Sequence, residues 1–302
     1  MRMIDAHTHV FDTLAGFGPR GELRAIGGGK ARWANGEVIE MIPSGLGERA
    51  FTYDTLAALL QENGVERAIL LQGSFYGFQN DYTREAAEKY PDLFVPSGTF
   101  DPFCANSLAL ADRLVNQLRL PIIKFETSSG GGLMGYHRPF PLDGEVFAES
   151  FELIARAEAA LVLDLGGPGM PSFQPEAVAA VARRHPTLRI VVCHLLAPGP
   201  RDRDALADGL RTLALPNVWF DLAAVPWNLF PEGYPYPTGR EYIRLAKDLV
   251  GAEKLLWGTD VPSVLTRDSY AHLVDYITGS GIFTPDELEQ VFYGNACAAY
   301  AL

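Results

Sequence analysis

A chain of 302 residues, 48% hydrophobic and 21% charged, has the make-up of a globular enzyme, not of a disordered or fibrous protein. With 37 acidic against 25 basic residues its formal charge is −12. That argues against nucleic acid and anionic membrane as partners but not against a small anionic substrate. Three scattered cysteines (Cys104, Cys193, Cys297) without a CxxC, and no apolar run of membrane-spanning length, point to a reduced cytoplasmic setting. The first residues read as a strand carrying chemistry and not as a signal peptide.

That opening strand is RMIDAHTHV. On a strand, residues i and i+2 point to one side, so His7 and His9 aim their rings at a common point. Two convergent imidazoles suit a divalent transition metal. Two solvated histidines at a sheet edge are the plain alternative, and spacing alone does not choose. Residues 14–50 follow, glycine-rich and without helical periodicity. They are expected to form a long loop insertion over the active site, packed as a lid or pocket wall through Phe17, Trp33, Met41 and Ile42.

From residue 52 onward helix and strand patterns alternate. Helices are predicted over 52–64 (Leu56, Leu59, Leu60, ended by Gly64), 81–91, 107–120, 144–160, 174–186, 239–251, 269–278 and 284–300, with a short one before residue 216. Apolar strands are predicted in VERAILLQGS, LFVPSGTFDP, PIIKFET, LVLDLGG, LRIVVCHLL, PNVWFDLAAV and KLLWGTDVP. With the first, that makes eight strands separated by helices. The expected fold is α/β, a single (β/α)8 TIM barrel over 1–302. A doubly wound open sheet would carry a glycine-rich phosphate loop after its first strand, and this one carries HxH instead. The glycine clusters AIGGGKARWANG and SSGGGLMG lack the strand–turn–helix setting and read as loops.

Barrel enzymes work at the C-terminal ends of their strands. Those ends carry His7 and His9, Gln72 and Ser74, Lys124 and Glu126, Asp164, His194, Asp221 and Asp260. Each has a bland reading. Asp221 can simply bond to backbone, Lys124 can be an interior ion-pair partner, His194 can be structural, and Asp260 can cap a turn. Three histidines and an aspartate at the mouth of one barrel make a stronger case together than singly.

IDAHTHVFD, AEKYPDLFVPSGTFDP, VARRHPTLRIVVCHLLAP, KLLWGTDVPS and YGNACAAYAL, in that order, resemble the amidohydrolase superfamily in its amidohydrolase-2 branch over nearly the whole chain. The resemblance implies a hydrolase, with one divalent metal (zinc or manganese) on His7, His9 and Asp260. Asp260 would double as proton acceptor, and His194 would contact substrate or assist proton transfer. Where the family usually carries a fifth-strand histidine ligand, this chain has Asp164. A carboxylate there can be a fourth ligand favouring a harder ion, or it can mark a metal-free site of the pyrone-dicarboxylate lactonase kind.

The favoured activity is cleavage of a C–O ester or lactone of a small, anionic or neutral substrate. A non-oxidative decarboxylase of aminocarboxymuconate or dihydroxybenzoate type is the runner-up, and a non-catalytic binder the third reading. Lys124, Glu126, Gln72 and Arg138 are the expected substrate contacts, with Arg20, Arg24, Arg32 and Arg49 as further candidates for gripping a carboxylate. No partner beyond a small molecule is expected, apart from a second copy in a homo-oligomer.

Overall fold

The computed structural model describes residues 1–302. Eight parallel strands follow one another around the molecule. Ile4–Thr8, Arg67–Leu70 and Phe94–Pro96 form one sheet. Ile122–Glu126, Ala160–Asp164, Ile190–Val192, Val218–Asp221 and Leu255–Leu256 form a second. The ladder is therefore not one continuous barrel sheet, as the strand count suggested. At each seam the ladder shrinks to a single bridge, Thr8 with Val261 and Gly98 with Ile123. Backbone hydrogen bonds run across both seams, Ala6 N–H to Trp257 O at 3.1 Å and Gly98 N–H to Ile122 O at 2.9 Å among them. The arrangement is an α/β fold in which parallel strands alternate with helices.

The pairing of the first strand with the second is irregular. Register shifts between Asp5 and Thr8, and the His7 N–H is shared with the Asp5 carboxylate at 3.3 Å. Such a shift re-aims side chains, and here it brings His7 against residues from other strands. Gly258 makes the room, since a Cβ there would stand 3.0 Å from the His7 nitrogen.

The helices form where periodicity places them, and their ends explain themselves. Tyr53–Glu62 starts at Thr52, whose hydroxyl accepts the Thr55 N–H. Pro285–Glu289 starts at a capping box between Thr284 and Glu287. Their buried faces join the outer surfaces of the strands in a core of 70 residues. A smaller core of 14 holds alternate strand residues such as Ile4, Ala6, Val162 and Val191, closed by Ala296, Ala299 and Tyr300 of the last helix. No helix is long and apolar enough to cross a membrane.

Residues 14–50 correct the expected loop. They hold a four-stranded antiparallel sheet, Ala15–Gly18, Gly21–Gly27, Lys30–Trp33 and Val38–Glu40, in sequential order. Phe11 and Phe51 clasp its two ends through paired backbone hydrogen bonds of 2.8 and 3.0 Å. Burial alternates along the first strand, but its buried members are Gly16 and Gly18. A Cβ on Gly16 would lie 2.0 Å from the Phe75 carbonyl, so the strand packs backbone to backbone there.

Candidate active site

His7 and His9 converge as the HxH spacing suggests, with Nε2 atoms 3.2 Å apart. Their outer nitrogens decide the tautomers. His9 Nδ1 lies 2.9 Å from the Leu71 carbonyl, which can only accept, so Nδ1 carries the proton. His7 Nδ1 donates to the buried Asp221 carboxylate at 3.0 Å. Burial lowers the pKa of both rings, and the Lys124 charge lowers that of His7 further. Both rings are thus neutral with bare Nε2 lone pairs. Asp260 adds a third acceptor, its Oδ1 2.9 Å from His9 Nε2 and 3.5 Å from His7 Nε2. Burial raises the Asp260 pKa, but His9, His194 and Lys124 outweigh that and hold it below the usual value, so it is ionised at neutral pH.

Three lone-pair donors facing one another repel unless a cation or protons intervene. One cation is built in, with Lys124 Nζ 3.4 Å from His7 Nε2. Burial opposes its charge, yet the acids around it, Cys193, Glu126, Asp164 and Asp260, leave its pKa raised. The donor set also fits a metal. Donors about 2.0–2.2 Å from a tetrahedral zinc ion stand about 3.3–3.6 Å apart, close to the separations here.

His194 follows the sixth strand in an unusual backbone run. His194, Leu195, Leu196 and Ala197 all have positive φ, between 46° and 66°. The Asp221 carboxylate anchors that run, accepting the His194 N–H at 2.8 Å and the Ala223 N–H at 3.1 Å through Oδ1. His194 Nδ1 donates to the Ala223 carbonyl at 3.0 Å, leaving Nε2 toward Asp164, 3.9 Å away. Burial lowers the His194 pKa, but Asp260, Asp164 and Asp221 overcome it and raise the net value. Asp164 stands outside the trio of His7, His9 and Asp260. Its Oδ1 accepts the Gly166 N–H at 2.9 Å.

These groups open into a cavity of about 690 Å3 whose wall includes His9, Lys124, Glu126, Asp164, His194 and Asp260. Arg20, Glu37 and Met41 reach it from the inserted region. Glu126 accepts the Phe75 N–H at 3.1 Å, and burial pushes its pKa up to about 7. Two expected substrate contacts are not part of this wall. Gln72 is buried, its amide spent on the Ser97 carbonyl, Thr83 and the Gln79 N–H. Arg138 is exposed and lies off the cavity, as do Arg24, Arg32 and Arg49.

The amidohydrolase family model matches residues 4–302. The chain belongs to this family. One relative, the L-fucono-1,5-lactonase of Burkholderia ambifaria, is 33% identical over 142 residues, a match spanning 42% of this chain and 46% of the relative. The chain thus aligns with less than half of that curated relative. A zinc-bound amidohydrolase from Burkholderia multivorans superposes over the whole of both chains with a TM-score of 0.74 at 19% identity. A probable 2-pyrone-4,6-dicarboxylic acid hydrolase from Acinetobacter baumannii, with citric acid bound, does so with a TM-score of 0.71 at 16% identity.

Within this amidohydrolase frame, sequence reading passed over several residues. Asp5, fully buried, accepts hydrogen bonds from Thr259 N at 2.9 Å, Thr259 Oγ1 at 2.6 Å and Tyr270 Oη at 2.8 Å, and so fixes the turn that carries Asp260. The signal was there, an acid inside an apolar strand two residues before His7. Tyr76 packs its ring 4.5 Å from that of His9 and bonds Ser263 at 3.0 Å. Trp227, Asn228 and Arg267 line the cavity without belonging to any recognisable motif.

Proposed function

We propose that this amidohydrolase is a metal-assisted hydrolase that opens the ring ester of a small lactone. The observation carrying the proposal is the convergence of two imidazole nitrogens and an ionised carboxylate beside a polar cavity, with His9 and Asp260 on its wall and His7 buried behind them. His7, His9 and Asp260 would hold the ion. A bound divalent ion supplies Lewis acidity, polarising a carbonyl and making a neighbouring water more acidic.

The remaining chemistry belongs to the chain. Asp260 Oδ2 makes no hydrogen bond within the protein and accepts the proton of the attacking water as its oxygen adds to the lactone carbonyl carbon. His194 Nε2 and the Lys124 ammonium face the growing negative charge. When the ring C–O bond breaks, the proton on Asp260 passes to the departing alkoxide, giving a hydroxy acid. Asp221 and the Leu71 carbonyl hold the two imidazoles in the tautomer the site needs. The named activity of the Burkholderia ambifaria relative supports lactones over amides as substrates.

The test is a panel of aldonolactones followed by proton release, with metal content measured on the same protein. Ring opening that is lost in chelator and restored by zinc or manganese is expected. Full activity in chelator would leave the Lys124 ammonium as the operative cation, and carbon dioxide release without ring opening would replace hydrolysis by decarboxylation.

A further inference from the structure

A second cavity opens beside the first. It encloses about 450 Å3 between the segments 224–236 and 264–273. Ala224, Trp227 and Arg267 border both cavities, so the two meet along a shared wall. None of the reacting groups His9, Lys124, His194 and Asp260 reaches the second one.

Its surface is aromatic. Trp227, Phe230, Tyr234 and Tyr236 line it, with Val264 and Leu273 opposite. Tyr236 is buried, but Phe230 is 62% exposed and Tyr234 42%. A single exposed ring is ordinary. Two of them on a cavity that adjoins a catalytic one mark a surface for a ligand.

The polar side chains of this wall are already engaged. Glu232 accepts the Thr238 N–H at 2.9 Å, and His272 pairs with Asp268 at 2.6 Å. The Tyr234 hydroxyl donates to Asp275, and the His272 ring stacks 4.1 Å from that of Tyr234. Arg267 rests its guanidinium 3.5 Å from the Trp227 ring centre and 4.5 Å from that of Phe230. A polyhydroxylated group would give up water here for partners that are taken. An apolar group loses nothing by entering. Aromatic rings gain further from offset and edge-to-face contact, beyond the area they bury.

We propose that the second cavity is a subsite for an aryl group, so that the substrate is a lactone carrying an aromatic ring next to its ester. The word lactone rests on the hydrolase reading; the aryl subsite does not. Continuity of the two cavities at Trp227 lets one molecule occupy both, its ester in the polar cavity and its aryl ring in the aromatic one.

The experiment is titration calorimetry with three γ-lactams, which resist ring opening: 5-phenyl-, 5-butyl- and 5-methyl-2-pyrrolidinone. Their common ring cancels contacts with the reacting groups. The phenyl compound is expected to bind about 10–100-fold more tightly than the methyl one, the gain from burying a phenyl group. It should also bind about 2–10-fold more tightly than the butyl one, the gain from aromatic pairing. Phe230→Leu keeps apolar bulk and should lose only the advantage of phenyl over butyl. Phe230→Ala should lower the phenyl-to-methyl ratio as well, and Phe230→Ala with Tyr234→Ala should bring it to about threefold or less. Thermal melts confirm that each variant is folded.

Equal affinity for the phenyl and methyl lactams, butyl binding as tightly as phenyl, a ratio untouched in the Phe230→Ala variants, or no binding of any would overturn the subsite. The two readings fail separately. Opening of γ-phenyl- and γ-methyl-γ-butyrolactone at equal kcat/KM sinks only the subsite. Selective binding of the phenyl lactam without opening of either lactone sinks only the hydrolase reading.

Discussion

Asp221→Asn isolates the link between tautomer and metal binding. The substitution keeps the side-chain volume and one carbonyl oxygen, which can still accept the His194 and Ala223 N–H groups at 2.8 and 3.1 Å. The amide nitrogen then takes the place of Oδ2, 3.0 Å from His7 Nδ1. Two donors cannot share that contact, so the His7 proton moves to Nε2 and covers the lone pair that faces His9 and Asp260. Loss of such a supporting partner typically weakens metal binding about 10–100-fold. At a zinc concentration 100-fold above the wild-type Kd, linkage adds about 2.7 kcal/mol of stability to the wild type. The same concentration adds about 1.4 to 0.4 kcal/mol to the variant. For a domain of this size, 1 kcal/mol moves Tm by about 2 °C. The zinc-induced shift should therefore fall from about 5 °C to about 1–3 °C, read by calorimetric melting in metal buffers. An undiminished shift in Asp221→Asn would refute the claim that Asp221 sets the His7 tautomer.

Asp260→Asn cannot accept the water proton and should lower kcat about 10²–10⁴-fold with little change in Tm; near-normal turnover would take Asp260 out of the mechanism. Asp5→Ala strands the Thr259 and Tyr270 donors and should cost about 3 kcal/mol or more in urea unfolding, with Asp260 loosened as a consequence. Glu126 has a folded pKa raised to about 7, so the folded state holds a proton that the unfolded chain releases near its ordinary value. Its contribution is fully present below about pH 4.5 and is lost as pH rises through about 7. Glu126→Gln should flatten that fall in Tm between pH 5 and 8, and an unchanged pH profile would count against the raised value.

The eight parallel strands and their alternation with helices were legible because each strand is a short apolar run bounded by helical periodicity, a pattern that survives without tertiary information. Division of the ladder at Thr8 and Gly98 was not, since it depends on backbone contacts between strands far apart in the chain. The inserted sheet escaped notice for a local reason. Its alternation is real, but glycine fills buried positions such as Gly16 and Gly18, so hydrophobicity shows no period of two. At the site, the short spacing of His7 and His9 and the strand-end position of Asp260 announced themselves. Asp221 read as a backbone-bonding acid, and it is one, while also holding His7 with its other oxygen. Gln72 shares the strand-end signal but turns inward to satisfy the Gln79 and Ser97 backbone.

The clasp between Phe11 and Phe51 separates two kinds of inheritance. His7 and His9 lie before it, and Lys124, His194, Asp221 and Asp260 lie after it. Within it, one uninterrupted stretch of chain supplies a share of the cavity wall. Closing a longer loop costs only slowly more entropy once its ends are pinned, about 0.6 kcal/mol per doubling of length. The segment between the two phenylalanines can therefore be lengthened, shortened or exchanged as a cassette while the reacting groups stay where the strands put them. Selection acting on what enters the cavity and selection acting on the chemistry inside it fall on different stretches of the same gene.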